Sequence, residues 1–247
     1  MIYKEALTNN IFNHICNCAD ELGIECYVIG GFVRDYIIDN STAKDIDIVV
    51  VGDGIEFAKN VSQKLKNTPK VTIFKTYGTA MFKYNDMEIE FVGARKESYS
   101  KESRNPKVSI GTLEDDQNRR DFTINSMAFS LNKMNYGALV DPFNGLVDIQ
   151  NKVIRTPLSP EITYNDDPLR MLRAIRFATK LNFKINEDSL KSIENLSSRI
   201  KIITKERIVV EINKILLTDK PSLGFILLDK CDLLKHILPE ITSLKGI

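Results

Sequence analysis

Long apolar runs, histidines and paired-cysteine motifs are what this 247-residue sequence has least of. No apolar stretch approaches the roughly 20 residues that cross a bilayer. The opening MIYKEALTNN has no apolar run behind a basic one, so no secretory signal is expected either. Two histidines and four cysteines (Cys16, Cys18, Cys26, Cys231) without C-x-x-C spacing argue against both zinc and a disulfide framework. The thiols read as buried groups in a reducing compartment. Repeats and low-complexity segments are absent. With 43% hydrophobic and 27% charged residues, the composition argues against a disordered tail, a collagen-like fibre or a coiled coil. The expectation is a cytoplasmic protein with a real core.

A strong net charge is also missing: 34 basic residues nearly balance 33 acidic ones. The balance is uneven along the chain, with 17 basic and 21 acidic residues in 1–150, then 17 and 12 in 151–247. A basic C-terminal part suits a polyanion such as RNA, and equally a solvated helical surface.

The first half mixes helical and strand patterns. Residues 5–22 have helical spacing and stop at Gly23, Cys26–Ile29 is a short apolar strand, and Phe32–Ile38 starts a second helix after Gly30-Gly31. Ile46–Val51 is a β-branched buried strand, and Ile55–Leu65 is helical. Val71–Lys75, Thr79–Tyr84 and Glu88–Val92 read as strands separated by turns at Tyr77-Gly78 and Asn85-Asp86. Residues 95–111 are polar and aperiodic and predict a mobile loop; Thr123–Leu131 predicts a short helix. Beyond Asp141-Pro142, helices are expected over Asp167–Leu181, Glu187–Leu196, Thr204–Leu217 and Leu223–Leu234. The predicted fold is α+β, a mixed-sheet domain over 1–140 followed by an all-helical part over 141–247.

Chemistry concentrates in Lys44-Asp45-Ile46-Asp47-Ile48. Side chains alternate along a strand, so Asp45 and Asp47 share one face while Ile46 and Ile48 enter the core. Two like charges so close repel unless a cation lies between them, and hard oxygen donors suit Mg²⁺. About four such acidic pairs arise by chance in a chain of this composition, and alone this one fits a solvated strand end. Upstream, Val28-Ile29-Gly30-Gly31-Phe32-Val33-Arg34-Asp35 supplies a strand, a glycine pair and a helix start carrying an arginine. Glycines let backbone approach a ligand, helix-start N–H groups attract phosphate, and Arg34 adds a charged donor. Together these imply a nucleoside triphosphate bound with Mg²⁺. A third acid comes from Glu88 or Glu90, which share one strand face and are not distinguished by spacing.

These motifs, taken in order, resemble the bacterial-type (class II) tRNA nucleotidyltransferase and poly(A) polymerase family of the DNA polymerase β-like nucleotidyltransferase superfamily. The resemblance runs from about Tyr27 onward through GGFVRD (30–35), DIDIVV (45–50), RRDFTINSMAF (119–129), DPFNG (141–145), DDPLRMLRAIRF (166–177) and ERIVVE (206–211). It implies a catalytic head over 1–140 and a helical nucleotide-selecting, RNA-binding part over 141–247. By position, Asp45 and Asp47 would bind the catalytic metals, and Glu90 matches the third acid, which would activate the RNA 3′-hydroxyl. Gly30, Gly31 and Arg34 would hold the triphosphate, Arg120 would touch the phosphates, and Asp121 with Asn125 would read the ribose. Asp141 and Gly145 lie in the motif linked to domain movement. Asp167 and Arg170 look like the pair that reads the base edge, with Arg173 and Arg176 following on the same helix side.

The implied activity is addition of CMP and AMP from CTP and ATP to the tRNA 3′ end, with Mg²⁺ as cofactor and no protein partner. Adding only the terminal A, or polyadenylation, is the alternative; a non-catalytic nucleotide- or RNA-binding module is a remote one. The stretch Thr72–Ala80 looks like the CCA-type consensus and lacks the paired basic residues associated with proteobacterial poly(A) polymerases. Asp166 replaces the family's usual Glu, and Ser126 its usual Ala. Family members typically continue well past the segment LPEITSLKGI through further helices that grip tRNA.

Overall fold

The computed structural model describes residues 1–75, 78–100 and 103–244, with side chains for all of these except 97–100 and 103–108. Thr76 and Tyr77 of the 72–80 stretch, Lys101 and Glu102 of the expected loop, and the last three residues of LPEITSLKGI therefore lie outside the described residues. The chain divides into two compact units. The first comprises Met1–Ser98, Lys107–Arg120 and Ile124–Leu146; the second comprises Tyr99–Pro106, Asp121–Thr123 and the chain from Val147 onward.

In the first unit, α1 (Asn10–Leu22) precedes β1 (Cys26–Ile29), α2 (Gly31–Asp39), β2 (Asp45–Val50), α3 (Gly54–Lys64), β3 (Thr72–Phe74), β4 (Thr79–Tyr84) and β5 (Met87–Gly93). There follow β6 (Arg95–Ser100) and β7 (Ser103–Ile110), whose residues 99, 100 and 103–106 count with the second unit, then α4 (Leu113–Asn118), β8 (Ala128–Ser130) and β9 (Leu139–Val140). Seven strands make one sheet in the order β3-β4-β5-β2-β1-β8-β9. It is mixed, because β2 runs antiparallel to β1 and parallel to β5. Helices cover one face: Phe57 of α3 meets Phe91 of β5 at 5.9 Å, and Phe12 of α1 meets Phe32 of α2 at 5.4 Å. Ile46 and Ile48 are buried, as the alternation in β2 requires. Tyr27, Ile29, Val49, Ala94 and Ala128 form a second buried cluster. By the same alternation, Asp45 and Asp47 extend the Val49 side of β2.

Several local expectations change. The helix expected over 5–22 is interrupted, because Asn9 caps a new helix by accepting from Ile11 N at 3.1 Å. Gly23 ends it in the left-handed conformation, φ +64°. The loop expected over 95–111 is instead two strands, β6 and β7, paired in their own sheet. Gly111 closes that ribbon: a Cβ there would lie 2.7 Å from Lys96 N and 2.8 Å from the Arg95 carbonyl carbon. The helix expected over 123–131 is a single 3₁₀ turn, Thr123–Asn125, followed by β8. Residues Ala128–Ser130 pair with β1, and sheet pairing overrides their local spacing.

The second unit is helical, with α5 (Gly145–Gln150) leading into it. It holds β10 (Val153–Ile154), α6 (Pro160–Asp166), α7 (Leu169–Leu181), β11 (Lys184–Ile185), α8 (Glu187–Leu196), α9 (Lys205–Leu216), α10 (Pro221–Lys230), α11 (Leu234–Ile237) and α12 (Pro239–Ser243). Among the described residues, the two-residue parallel pair β10–β11 is the one strand ladder lying wholly in the part expected to be all-helical. Helix α7 is the central element, burying Met171, Leu172, Ala174, Ile175 and Ala178 and packing on α6, α9 and α10. Each fully buried Leu or Ile contributes about 2 kcal/mol. It starts two residues later than its periodicity predicts, since Asp167 is extended (φ −140°) and its Oδ1 accepts from Leu169 N at 3.1 Å. Among the described residues no helix is long and apolar enough to cross a membrane.

Candidate active site

The carboxylates gather where β2 and β5 run side by side. Their register sets Asp45 beside Glu88 and Asp47 beside Glu90, so the four acids share one face. The two glutamates differ in their surroundings. Glu88 Oε1 accepts from Lys83 Nζ at 2.9 Å on an exposed part of the sheet, while Glu90 acts electrostatically on Asp47. Burial pushes the Asp47 carboxyl above the usual carboxylate range, and the charges of Glu90, Asp45 and Asp116 add to that push against the pull of Arg120. A charge raised in energy by burial and like neighbours is one that a cation stabilises. The donors are all hard carboxylate oxygens, which fits Mg²⁺ held through one or two acids and completed by substrate phosphates. Among the described residues, no group of three or more His, Cys, Asp or Glu side chains is placed to hold a metal ion by itself.

The glycine pair abuts this acid face. Gly30 precedes α2 with φ +82°, a conformation that side-chain-bearing residues rarely adopt. A Cβ on Gly30 would lie 3.2 Å from Arg120 Nη1 and 3.5 Å from Asp47 Oδ2, so glycine here keeps the corner between them open. One turn on, Arg34 is buried. Its Nε and Nη2 donate to the two oxygens of Asp35 at 2.7 and 2.9 Å, and Nη1 donates to Asn125 Oδ1 at 2.6 Å. A Cβ on Gly31 would lie 3.6 Å from Arg34 Nη2, which sets the guanidinium against the first turn of α2. Arg120 is anchored from behind, with Nε and Nη2 donating to Asp116 Oδ2 at 3.1 and 3.0 Å.

Asp121, Asp167, Arg170, Arg173 and Arg176 belong to the second unit. Arg173 Nη2 lies 2.6 Å from Asp121 Oδ2, and the nearby carboxylate pushes the arginine's already high value further up. Arg176 is buried; its Nε donates to Glu211 Oε2 at 2.5 Å, and its guanidinium lies 3.9 Å from the Phe177 ring centre. Burial lowers the Arg176 value, and Glu211 opposes that shift. Arg170 Nη1 donates to the Thr163 carbonyl at 3.4 Å. Asp167 Oδ2 accepts from Arg207 Nη2 at 3.1 Å. Thus Gly30, Gly31, Arg34, Asp45, Asp47, Glu90, Arg120 and Asn125 lie in one unit, and Asp121, Asp167, Arg170, Arg173 and Arg176 in the other. In the first unit, Asp141 receives N–H donors from Gly145 and Leu146 at 2.7 and 2.9 Å, capping α5.

Three side chains escaped the sequence reading. Asp116 is fully buried between Arg119 and Arg120, Glu211 is the buried partner of Arg176, and Arg207 holds Asp167. Burial would push the Asp116 carboxyl up, but the two guanidiniums outweigh it and hold the group below the usual carboxylate range. Only the i+3 and i+4 arginines of LEDDQNRR hint at this. The other two pairs join residues 35 and 40 positions apart and leave no local signal.

The chain belongs to the family described as the poly A polymerase head domain, whose model matches residues 26–155. A second model, described as the probable RNA and SrmB-binding site of polymerase A, matches residues 182–245. Among curated relatives, the A-adding tRNA nucleotidyltransferase of Aquifex aeolicus is 40% identical over 200 residues, covering 80% of this chain and 24% of that protein. The CCA-adding enzyme of Enterococcus faecalis is 34% identical over 197 residues, covering 79% of this chain and 46% of that protein. Among solved structures, a tRNA nucleotidyltransferase complexed with a primer tRNA and an incoming ATP analog aligns with TM-score 0.78 and 34% identity, over 91% of this chain and 62% of that one. An apo CCA-adding enzyme aligns with TM-score 0.84 and 33% identity, over 94% and 54%. The chain spans about a quarter to a half of the length of the first curated relatives it matches.

Proposed function

We propose that this chain catalyses template-independent nucleotidyl transfer, adding CMP and AMP from CTP and ATP to the 3′ end of tRNA and releasing pyrophosphate. The observation that carries the reading is the register of β2 and β5, which sets Glu90 beside Asp47, next to the Gly30 turn. Asp45 and Asp47 are the residues to hold Mg²⁺. When bound, the metal supplies charge neutralisation to the triphosphate and lowers the pKa of the RNA 3′-hydroxyl. Glu90 accepts the hydroxyl proton as the 3′ oxygen bonds to the α-phosphorus and the bond to pyrophosphate breaks. The Gly30–Gly31 backbone, Arg34 and Arg120 cradle the phosphates, and the rest of the protein's contribution is positioning and charge.

In this reading residues 1–140 are the catalytic head, and 141–247 select the nucleotide and bind RNA. Asp121 and Asn125 contact the ribose, while Asp167 and Arg170 offer an acceptor and donors to the Watson–Crick edge of C or A. Arg173 and Arg176 continue that face of α7, and the Arg176–Glu211 pair braces α7 against α9. The name of the 40%-identical Aquifex aeolicus relative favours a second reading, addition of the terminal A alone. The test incubates the protein with tRNAs ending at the discriminator base, at C and at CC, with each NTP singly. Two cytidines and then adenosine on the shortest tRNA support CCA addition; adenosine only on the CC end supports the second reading. No extension of any tRNA overturns both.

A further inference from the structure

Arg120 owes its pose to an acid that no motif reading assigns. Asp116 lies on α4 with no exposed surface, and each of its oxygens serves a different arginine. Oδ1 takes Arg119, with Arg119 Nε at 2.9 Å; Oδ2 takes Arg120 through Nε and Nη2. An acid buried this fully is tolerated only when its charge is matched and hydrogen-bonded, and here it is matched twice. Helix α4 is itself fastened: buried Gln117 donates through Nε2 to the Ser126 carbonyl at 2.7 Å, and Ser126 Oγ donates back to the Gln117 carbonyl at 3.3 Å. The Arg120 fork therefore rests on a rigid base with one edge committed to Asp116. Its other nitrogen, Nη1, is the atom 3.2 Å from the missing Cβ of Gly30, a position itself 3.5 Å from Asp47 Oδ2.

We propose that Asp116 is a positioning residue that holds Arg120 Nη1 toward the Gly30 corner to receive the triphosphate of the incoming nucleotide. The inference rests on the nucleotide-transfer reading above and deepens it. Without Asp116, Arg120 can turn toward Asp47, whose Oδ2 lines the same Gly30 corner, and an arginine swung onto that carboxylate no longer points at an incoming phosphate. Arg119 shares the buried acid, and none of its atoms is among those nearest a Cβ placed on Gly30 or Gly31. It serves as an internal control: Arg119→Gln removes half of the charge matching and leaves the Arg120 contact in place.

The test is equilibrium binding, by calorimetry with Mg²⁺ present, of ATP and separately of inorganic tripolyphosphate. Proteins compared are the wild type, Asp116→Asn, Arg120→Gln, the double variant and Arg119→Gln. Asp116→Asn should weaken both ligands by about ten-fold or more, as expected for a misaligned charge-assisted phosphate contact. In the Arg120→Gln background it should cost no further affinity, because its effect passes through Arg120. Arg119→Gln should stay within about two-fold of wild type. Additive losses, or Arg119→Gln as weak as Asp116→Asn, would mean that the acid merely supports the fold and would overturn the proposal. Should Asp116→Asn not fold, Asp116→Glu takes its place in the same cycle, keeping the charge but shifting it by one methylene. A wild type that binds neither ATP nor tripolyphosphate contradicts the nucleotide-transfer reading instead, so the two failures are distinguishable.

Discussion

Glu90 sits beside Asp47 because β5 and β2 run parallel in register, whereas Glu88, two residues earlier, is drawn to Lys83 across the neighbouring strand. One strand thus carries two acids of the same face with different partners. Glu90→Gln should lower single-turnover incorporation by about 10²-fold, the scale of a lost general base. Glu88→Gln should change it by less than two-fold, since an exposed ion pair contributes little. Equal losses in the two variants would return the third acid to an open choice.

Removing a carboxylate from the acid face should cost activity and not stability. Asp45→Ala and Asp47→Ala are expected to abolish incorporation. Because the Asp47 carboxyl is pushed up in the fold, its charged form is disfavoured there, so Asp47→Asn should unfold without metal at a temperature no lower than wild type. By the same sign, binding of Mn²⁺, which needs the ionised acid, should weaken as pH falls through that raised value. Thermal unfolding and a metal titration at two pH values check both parts.

Asp116 titrates in the opposite direction. Its carboxyl is held below the usual range, so its stabilising effect is present above the unfolded value of about 3.9 and is lost as pH falls through the folded value. Acid unfolding of wild type should therefore be steeper below about pH 4 than that of Asp116→Asn. Urea midpoints measured between neutral pH and pH 3 decide it.

Breaking the Arg176–Glu211 pair should be a folding defect. Both side chains are buried, and removing Glu211 leaves Arg176 charged and without its carboxylate, at a cost of about 3 kcal/mol or more, whereas Glu211 keeps a longer 3.5 Å pair with Lys214 when Arg176 is lost. Glu211→Gln should lower the urea midpoint strongly, and a joint Arg176→Met, Glu211→Leu change should cost much less.

What could be read in the sequence is what is periodic and local. The alternation of DIDIVV betrayed both the buried Ile46 and Ile48 and the shared face of Asp45 and Asp47, and the helical spacing of 187–196 matches α8 residue for residue. The ribbon of β6 and β7 reads as a loop in sequence because its residues are polar and show no period-2 apolar pattern. Residues 128–130 read as helix in sequence because Ala, Phe and Ser mark no strand until β1 pairs with them. What sets Glu88 apart from Glu90 is its ion pair with Lys83 on the neighbouring strand, which the spacing within β5 does not show. The pairs Arg176–Glu211 and Asp167–Arg207 exist only once α7 and α9 are packed.

In the proposed function, Asp45 and Asp47 grip divalent ions beside the Gly30 turn while a nucleotide lies in it. A crystal structure with CTP and Mn²⁺, using the anomalous signal of the metal, tests it most directly. The account predicts anomalous density against the oxygens of both aspartates, with the triphosphate along Gly30, Gly31 and Arg120. Bound CTP with the two side chains turned away and no anomalous density near them would contradict it.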